Sequence, residues 1–174
     1  VVMAVFSAAA LVTNNKMCSI FSSAMAPTGA LMAFLALFSG SFWGRPTWGT
    51  HWVWDARLTS ELILLFLYLG FLALQSAIAD HRRADKACAV IAIVGVVNVP
   101  IIYFSVKWWN TLHQGASITS KGSSIAPIML YTLLLMVVAF WLYSFASTFV
   151  RARSMILERE RRQTWVQALV KEGK

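Results

Sequence analysis

Long apolar runs separated by short polar stretches dominate the sequence. Four runs have about 20 residues each, the length of helix that crosses a hydrocarbon layer of ~30 Å. They cover residues 24–42, 61–79, 87–104 and 127–150, and a shorter apolar run covers residues 1–12. Only a helix satisfies its backbone polar groups within one such segment. The pattern therefore predicts an all-α, polytopic membrane helix bundle with four complete transmembrane helices and a partial N-terminal one.

The polar stretches divide the chain. We expect residues 1–150 to form the transmembrane domain and residues 151–174 to form a basic, helical cytoplasmic tail whose apolar residues, including Met155 and Ile156, lie on the membrane surface. Asn98 falls within the third complete run, where an amide needs a polar partner. Because the sequence begins with Val inside an apolar run too short to span, we expect a fragment that has lost N-terminal residues.

Composition and charge agree with a membrane location. The chain is 59% hydrophobic and only 13% charged, with a mean hydropathy of +0.66, which excludes a soluble domain. The net charge of +8 does not indicate nucleic acid, because the cations are segregated along the chain. Of the 15 Lys and Arg residues, all but Arg45, Arg57, Lys107 and Lys121 fall at one set of run ends. The positive-inside rule predicts that this cation-rich side is cytoplasmic.

Two aromatic stretches therefore face the outside together, residues 43–61 and residues 107–126. They contain six of the eight tryptophans. We expect the first stretch to be a loop, because Gly44, Pro46 and Gly49 interrupt a helix, and we expect Thr59 or Ser60 to cap the helix that follows.

Tryptophans at a membrane boundary usually serve as anchors at the headgroup level. Six in two loops on the same side are more than anchoring requires, and exposed aromatic faces suit a large planar ligand. Composition leaves both interpretations open, an interfacial belt and a ligand-binding surface.

His113, in the second aromatic stretch, is the residue of greatest chemical interest. An imidazole in such a loop can serve as a metal ligand, as an acid or base, or as a surface hydrogen-bond donor. A neighbouring aromatic surface favours the role of haem ligand, because haem needs both a planar apolar surface and an axial nitrogen. His51 competes for that role, whereas His81 lies in a charged turn. Asp55 and Arg57 form either a local ion pair or, for Arg57, a contact to an anionic group such as a haem propionate.

Other chemistry has little support in the sequence. Arg45 and Lys107 are further candidates for contact with propionates. Cys18 and Cys88 fit no metal-binding or haem-attachment spacing, and we expect both to be inert thiols. No nucleophile with its base, phosphate loop or catalytic carboxylate pair is recognisable.

Two motifs carry a family resemblance. Residues 48–60, WGTHWVWDARLTS, resemble the tryptophan-rich WWD signature of haem-handling membrane proteins. Residues 61–62 and 108–115, the latter WWNTLHQG, are similar to segments of the CcmC branch of that family, which belongs to the cytochrome c maturation system. The resemblance covers essentially the whole chain.

The resemblance implies that haem b, as transient cargo, is held at the outer face of the bacterial inner membrane. From there it passes to the haem chaperone CcmE, assisted by CcmD and the CcmA–CcmB pair, and the chain itself is not an enzyme. A mitochondrial inner membrane is the other location that the family implies. His113 matches an axial ligand of the haem iron. The expected haem-binding residues are Trp48, Trp52, Trp54, Asp55, Arg57, Trp108, Trp109 and His113.

Two departures from the family pattern stand out. The family's other axial histidine belongs to a Leu-His-Val-Pro motif that precedes the region where this chain begins. The family also has six spans, whereas this sequence shows four complete ones and part of another. His51 stands where the family has an aromatic residue. Two other functions stay open at this point, namely a cytochrome c synthase-type enzyme that attaches haem and a membrane scaffold that binds no haem.

Overall fold

The structure is a computed structural model that describes residues 1–109, 111–113, 115, 117–119 and 122–172. Lys121 and Lys174 of the charge count, and Asn110 and Gln114 of the second motif, lie outside these residues. The helices are α1 (Val2–Thr13), α2 (Lys16–Trp48), α3 (Ala56–Ala77), α4 (His81–Trp108), α5 (Pro127–Arg159) and α6 (Thr164–Glu172). Strands β1 (Ile118–Thr119) and β2 (Gly122–Ser123) form a small antiparallel hairpin between α4 and α5.

Four of the described helices are long and apolar enough to cross a membrane, namely α2, α3, α4 and α5. The predicted all-α fold with four complete spans is confirmed, and α1 is a shorter apolar helix. Most helix ends extend beyond the apolar runs because polar residues continue the helix, although α3 ends at Ala77, two residues before the end of its run. In particular, α5 continues for nine residues past Val150, the last residue of the expected transmembrane domain.

Contacts between consecutive helices show that α1, α2, α3 and α4 alternate in direction, because residues late in one helix meet residues early in the next. Helix α5 runs antiparallel to α2. Helix α1 packs on α2 and α4, α3 packs on α2 and α4, and α5 packs on α2. The ends of α2 and α4 and the start of α3 therefore lie together at one end of the bundle, which we call the aromatic end. The opposite end, which we call the basic end, holds the starts of α2 and α4 and the last turns of α5.

Polar and small residues join the helices inside the bundle. The amide of Asn98 is buried and donates to the backbone carbonyl of Ser60 at 2.7 Å, which confirms the predicted need for a partner. Gly29 faces Tyr68 so closely that a Cβ at this position would overlap the phenol ring. Helices α2 and α3 therefore approach each other through a glycine, as small residues permit in membrane bundles.

Two apolar residues of the predicted tail belong to the last turns of α5. Met155 and Ile156 pack, partly buried, against a cluster of Ile20, Ala24 and Ala152, because α2 lies alongside them. The position of the tail on the membrane surface stays a prediction. The thiols of Cys18 and Cys88 are both free, as expected.

Candidate functional site

The first aromatic stretch is less irregular than its sequence suggests. Residues 43–48 continue α2, so the predicted interruption at Gly44 and Pro46 is wrong. Pro46 removes only one donor, one turn from the helix end, and the hydroxyl of Thr47 donates to the carbonyl of Trp43 at 3.0 Å. Gly44 is buried, and a Cβ there would lie 3.2 Å from the carbonyl oxygen of Thr50. This glycine therefore gives the loop room to fold back against α2.

The loop itself comprises residues 49–55. Gly49 ends α2 in the left-handed conformation, with φ of 79°, where glycine has no steric penalty. Asp55 begins α3, because its Oδ1 accepts a hydrogen bond from the backbone N–H of Leu58 at 2.8 Å. The cap is therefore Asp55, and the expectation that Thr59 or Ser60 caps this helix is wrong.

The second oxygen of Asp55 connects the two aromatic stretches. Asp55 Oδ2 lies 2.9 Å from Nδ1 of His113, 58 residues further along the chain. The carboxylate side chain is 4% exposed and the imidazole 20% exposed. Because a carboxylate oxygen can only accept, Nδ1 is the donor in this hydrogen bond, and in the neutral ring the lone pair then lies on Nε2, on the side away from the carboxylate. Nε2 of His113 has no hydrogen-bond partner among the residues that the structure describes.

Trp48 completes the immediate surroundings of His113. The two rings meet edge to face, with centroids 4.6 Å apart and planes inclined by 67°. Two adjacent cavities of about 300 Å³ and 230 Å³ share four lining residues, Trp43, Trp48, Arg57 and His113. Leu112 contributes to the first cavity and Glu61 to the second. The aromatic end thus contains a recess that combines apolar rings, an imidazole and a guanidinium.

Arg57 is the cation of this recess. It lies in the first turn of α3 and is partly buried. Its guanidinium forms no hydrogen bond or ion pair with any residue in the described part of the chain, and the ion pair with Asp55 that the sequence suggested is not formed. Glu61, one helical turn further along α3, interacts electrostatically with Arg57 without a direct salt bridge. The donors of the guanidinium can still form charge-assisted hydrogen bonds to a carboxylate group.

The remaining predicted tryptophans line neither cavity. Trp52 and Trp54 contact each other edge to face at 5.4 Å, and Trp54 is 75% exposed. Trp108 stacks on Phe104 at the end of α4, with ring centroids 5.1 Å apart, and Trp109 follows it; both are more than half exposed. The aromatic end therefore carries accessible indole rings in addition to those that line the recess.

The other candidates from the sequence lie apart from the recess. Both ring nitrogens of His51 have partners, since Nε2 lies 3.3 Å from the guanidinium of Arg45 and Nδ1 lies 3.3 Å from the carbonyl oxygen of Ser41. The ammonium of Lys107 lies over the rings of Tyr103 and Phe104. None of His51, Arg45 and Lys107 lines either cavity.

Sequence reasoning missed two features of the recess. Trp43 lines both cavities although we did not select it as a site residue. Asp55 positions His113, a role that its neighbours in sequence do not reveal. A signal was present, because Asp55 and Glu61 are the only carboxylates in the two aromatic stretches, and a buried imidazole in either stretch has few other anionic partners.

Comparison with known proteins gives a consistent result. The family described as CcmC, heme exporter protein C, matches residues 1–167. Heme exporter protein C of Escherichia coli K12 is 50% identical over 168 residues, which cover 97% of this chain and 68% of that protein. The protein of the same name from Haemophilus influenzae is 51% identical over 168 residues, with 96% and 68% covered. A ccmC-like mitochondrial protein of cytochrome c biosynthesis from Marchantia polymorpha is 43% identical over 157 residues, with 90% and 66% covered.

Proposed function

The chain belongs to the CcmC family of heme exporter proteins, and we propose that it handles haem for cytochrome c maturation by holding haem b as transient cargo at the aromatic end and passing it to the haem chaperone CcmE. The observation that carries this proposal is the contact of 2.9 Å between Asp55 Oδ2 and His113 Nδ1. Nε2 of His113 is not used in that contact, and the imidazole lines a cavity. Metal-binding histidines usually donate their other ring N–H to a carboxylate or carbonyl.

His113 is the proposed axial ligand of the haem iron, through Nε2. The hydrogen bond to Asp55 keeps the proton on Nδ1 and increases the basicity of the ring. Trp48, which contacts the imidazole edge to face, restricts rotation of the ring. This arrangement orients a nitrogen lone pair before haem arrives, so that little conformational entropy is lost on ligation.

Arg57 is the proposed partner of a haem propionate. A carboxylate and a guanidinium form a charge-assisted, often bidentate hydrogen bond. Among the described residues Arg57 interacts electrostatically with Glu61 but forms no direct salt bridge. Trp54, Trp108 and Trp109 supply the exposed rings on which the macrocycle is proposed to rest, and the partly buried Trp52 supports Trp54 edge to face. A cargo held mainly at an open aromatic surface keeps one edge accessible to the accepting protein.

The remaining assignments follow from the family. We propose a delivery role without catalysis, in which CcmE makes the covalent bond to haem, assisted by CcmD and CcmA–CcmB. The proposed location is the bacterial inner membrane with the aromatic end outward. The mitochondrial relative makes a mitochondrial inner membrane the alternative.

A visible spectrum of the detergent-purified chain, titrated with haemin, tests the ligand. We expect His113→Ala to shift the Soret band and to weaken haem binding, because one axial nitrogen is lost. His51→Ala is the matched control, since it removes an imidazole from the same end that lies outside both cavities, and it should leave the spectrum unchanged. If His113→Ala matches the parent at equal haem occupancy, the ligand assignment is wrong. If neither protein binds haem, the tryptophans are anchors and the scaffold is the better description.

A transfer assay tests delivery. The haem-loaded chain is mixed with purified CcmE, and separately with an apocytochrome c, and haem on each acceptor is followed by spectrum and by denaturing gel. Haem on CcmE alone supports delivery. Covalent haem on the apocytochrome in the absence of CcmE contradicts it and identifies a synthase.

A further inference from the structure

A second cavity with a different chemistry lies at the basic end, far from the recess. It has a volume of about 280 Å³ and lies between the turn that joins α1 to α2 and the first turns of α4. Its charged walls are Lys16 from α2 and Arg82, Arg83, Lys86 and Asp85 from α4. Two long helices thus begin at this cavity, and the cations of both face it.

The positive charge of the cavity is largely uncompensated. Its one acidic residue, Asp85, already forms a two-bond ion pair with Arg159, with both N–O distances at 2.8 Å. Arg83 lies 3.5 Å from the carboxylate of Asp80, which is outside the cavity. The ammonium and guanidinium groups of Lys16, Arg82 and Lys86 have no anionic partner within the described residues. About three positive charges therefore share one cavity.

The cavity cations lie close together at the starts of two helices. Arg82 and Lys86 are one helical turn apart on α4, a spacing at which like charges repel, and Lys16 is the first residue of α2. The carboxylate of Asp80, which caps α4 through the N–H of Arg82, does not line the cavity. An anion from outside the chain would therefore relieve the repulsion between these cations.

We propose that this cavity binds a phosphate group, supplied by the headgroup of an anionic phospholipid. Lys16, Arg82 and Lys86 would donate to the phosphate oxygens. The cavity also has an apolar wall, formed by Ala10 and Leu11 near the end of α1. A site with cations at its mouth and apolar residues on one side fits a headgroup with the start of its acyl chains, and basic pockets between transmembrane helices recognise anionic lipids in this way.

The test compares two triple variants of the full chain in a neutral detergent. Lys16→Gln/Arg82→Gln/Lys86→Gln removes the cavity cations. Arg153→Gln/Arg161→Gln/Arg162→Gln removes the same charge from exposed tail positions that do not line the cavity. Native mass spectrometry measures how much phosphatidylglycerol each protein retains against phosphatidylcholine, and thermal unfolding measures protection by that lipid and by inorganic phosphate at constant ionic strength.

We expect the parent and the tail variant to retain phosphatidylglycerol and the cavity variant to lose it. Each cation near a membrane surface contributes about a fivefold change in anionic lipid binding, so the triple change should weaken retention on the order of 100-fold. The single variant Lys86→Gln, whose side chain is exposed, guards against misfolding of the triple variant and should weaken retention about fivefold.

The outcomes separate the possibilities. Selective protection by phosphatidylglycerol supports a lipid headgroup, and equal protection by inorganic phosphate supports the same phosphate site with a free ion as its source. Equal loss in the cavity and tail variants would overturn the proposal, because it would show only general attraction to a basic surface. Equal retention of phosphatidylcholine would overturn it as well.

Discussion

Replacing Asp55 with Asn is the change that examines the recess most directly. In the structure, one oxygen of Asp55 caps α3 and the other binds His113. An asparagine can keep the cap, because Asn and Asp serve about equally well at this position. Its amide group then presents N–H to Nδ1 of His113, which is itself a donor. The ring must move its proton to Nε2 to avoid this clash, and the lone pair needed by iron is lost.

The size of the effect follows from this exchange of tautomers. Removing the partner of a metal-binding histidine typically lowers metal affinity about 10- to 100-fold, which corresponds to ~1.4–2.7 kcal/mol. The loss of a carboxylate near a helix N-terminus costs only about 0.3–1 kcal/mol of stability. We therefore expect Asp55→Asn to weaken haem binding far more than it destabilises the fold. Asp55→Ala also removes the helix cap and should lower the free energy of unfolding by about 0.5–2 kcal/mol.

The assay is haemin titration followed by the Soret band, with thermal unfolding measured in parallel. Asp80→Asn is the matched control, because Asp80 caps α4 through its bond to the N–H of Arg82 and its carboxylate forms no hydrogen bond to a histidine within the described residues. A double variant adds a sharper condition. If Asp55 acts through His113, then Asp55→Asn should change haem affinity little in a His113→Ala background. Unchanged affinity and an unchanged Soret band in Asp55→Asn itself would refute the reasoning.

Two further predictions concern the packing that holds the recess in place. Asn98→Ala should lower the free energy of unfolding by about 1 kcal/mol, because interhelical hydrogen bonds in membrane bundles contribute roughly 0.6–1.7 kcal/mol. Unfolding in mixed micelles measures this change, with Val97→Ala at an exposed position as the control. Equal effects of the two substitutions would contradict a role for the amide. Gly29→Ala should destabilise the contact between α2 and α3 by about 1–3 kcal/mol, which a lower thermal midpoint of unfolding would show. Gly70→Ala is the control and should leave the midpoint unchanged, because open space surrounds that glycine. A larger loss of stability in Gly70→Ala would refute this packing.

The sequence predicted the transmembrane architecture because the bilayer imposes a simple constraint. A run of about 20 apolar residues must be helical to satisfy its backbone in hydrocarbon. Three of the four runs fall wholly within such a helix, and the run 61–79 does so except for its last two residues. The helix ends could not be predicted in the same way. Residues 43–48 stay helical despite Gly44 and Pro46, and α5 continues through Arg159, since contacts with neighbouring segments outweigh local propensity there.

The sequence by itself determined the helical spans, the clustering of tryptophans in two stretches and the residue types available for haem, through hydropathy and motif spacing. Only the tertiary structure decided which of them meet. It brings His113 to Asp55 across 58 residues, leaves His51 bound to Arg45, and selects Trp43 and Trp48 for the recess while Trp54 stays exposed. The reason is that a hydrogen bond of 2.9 Å depends on how the helix ends pack, a property of distant contacts that no local pattern encodes.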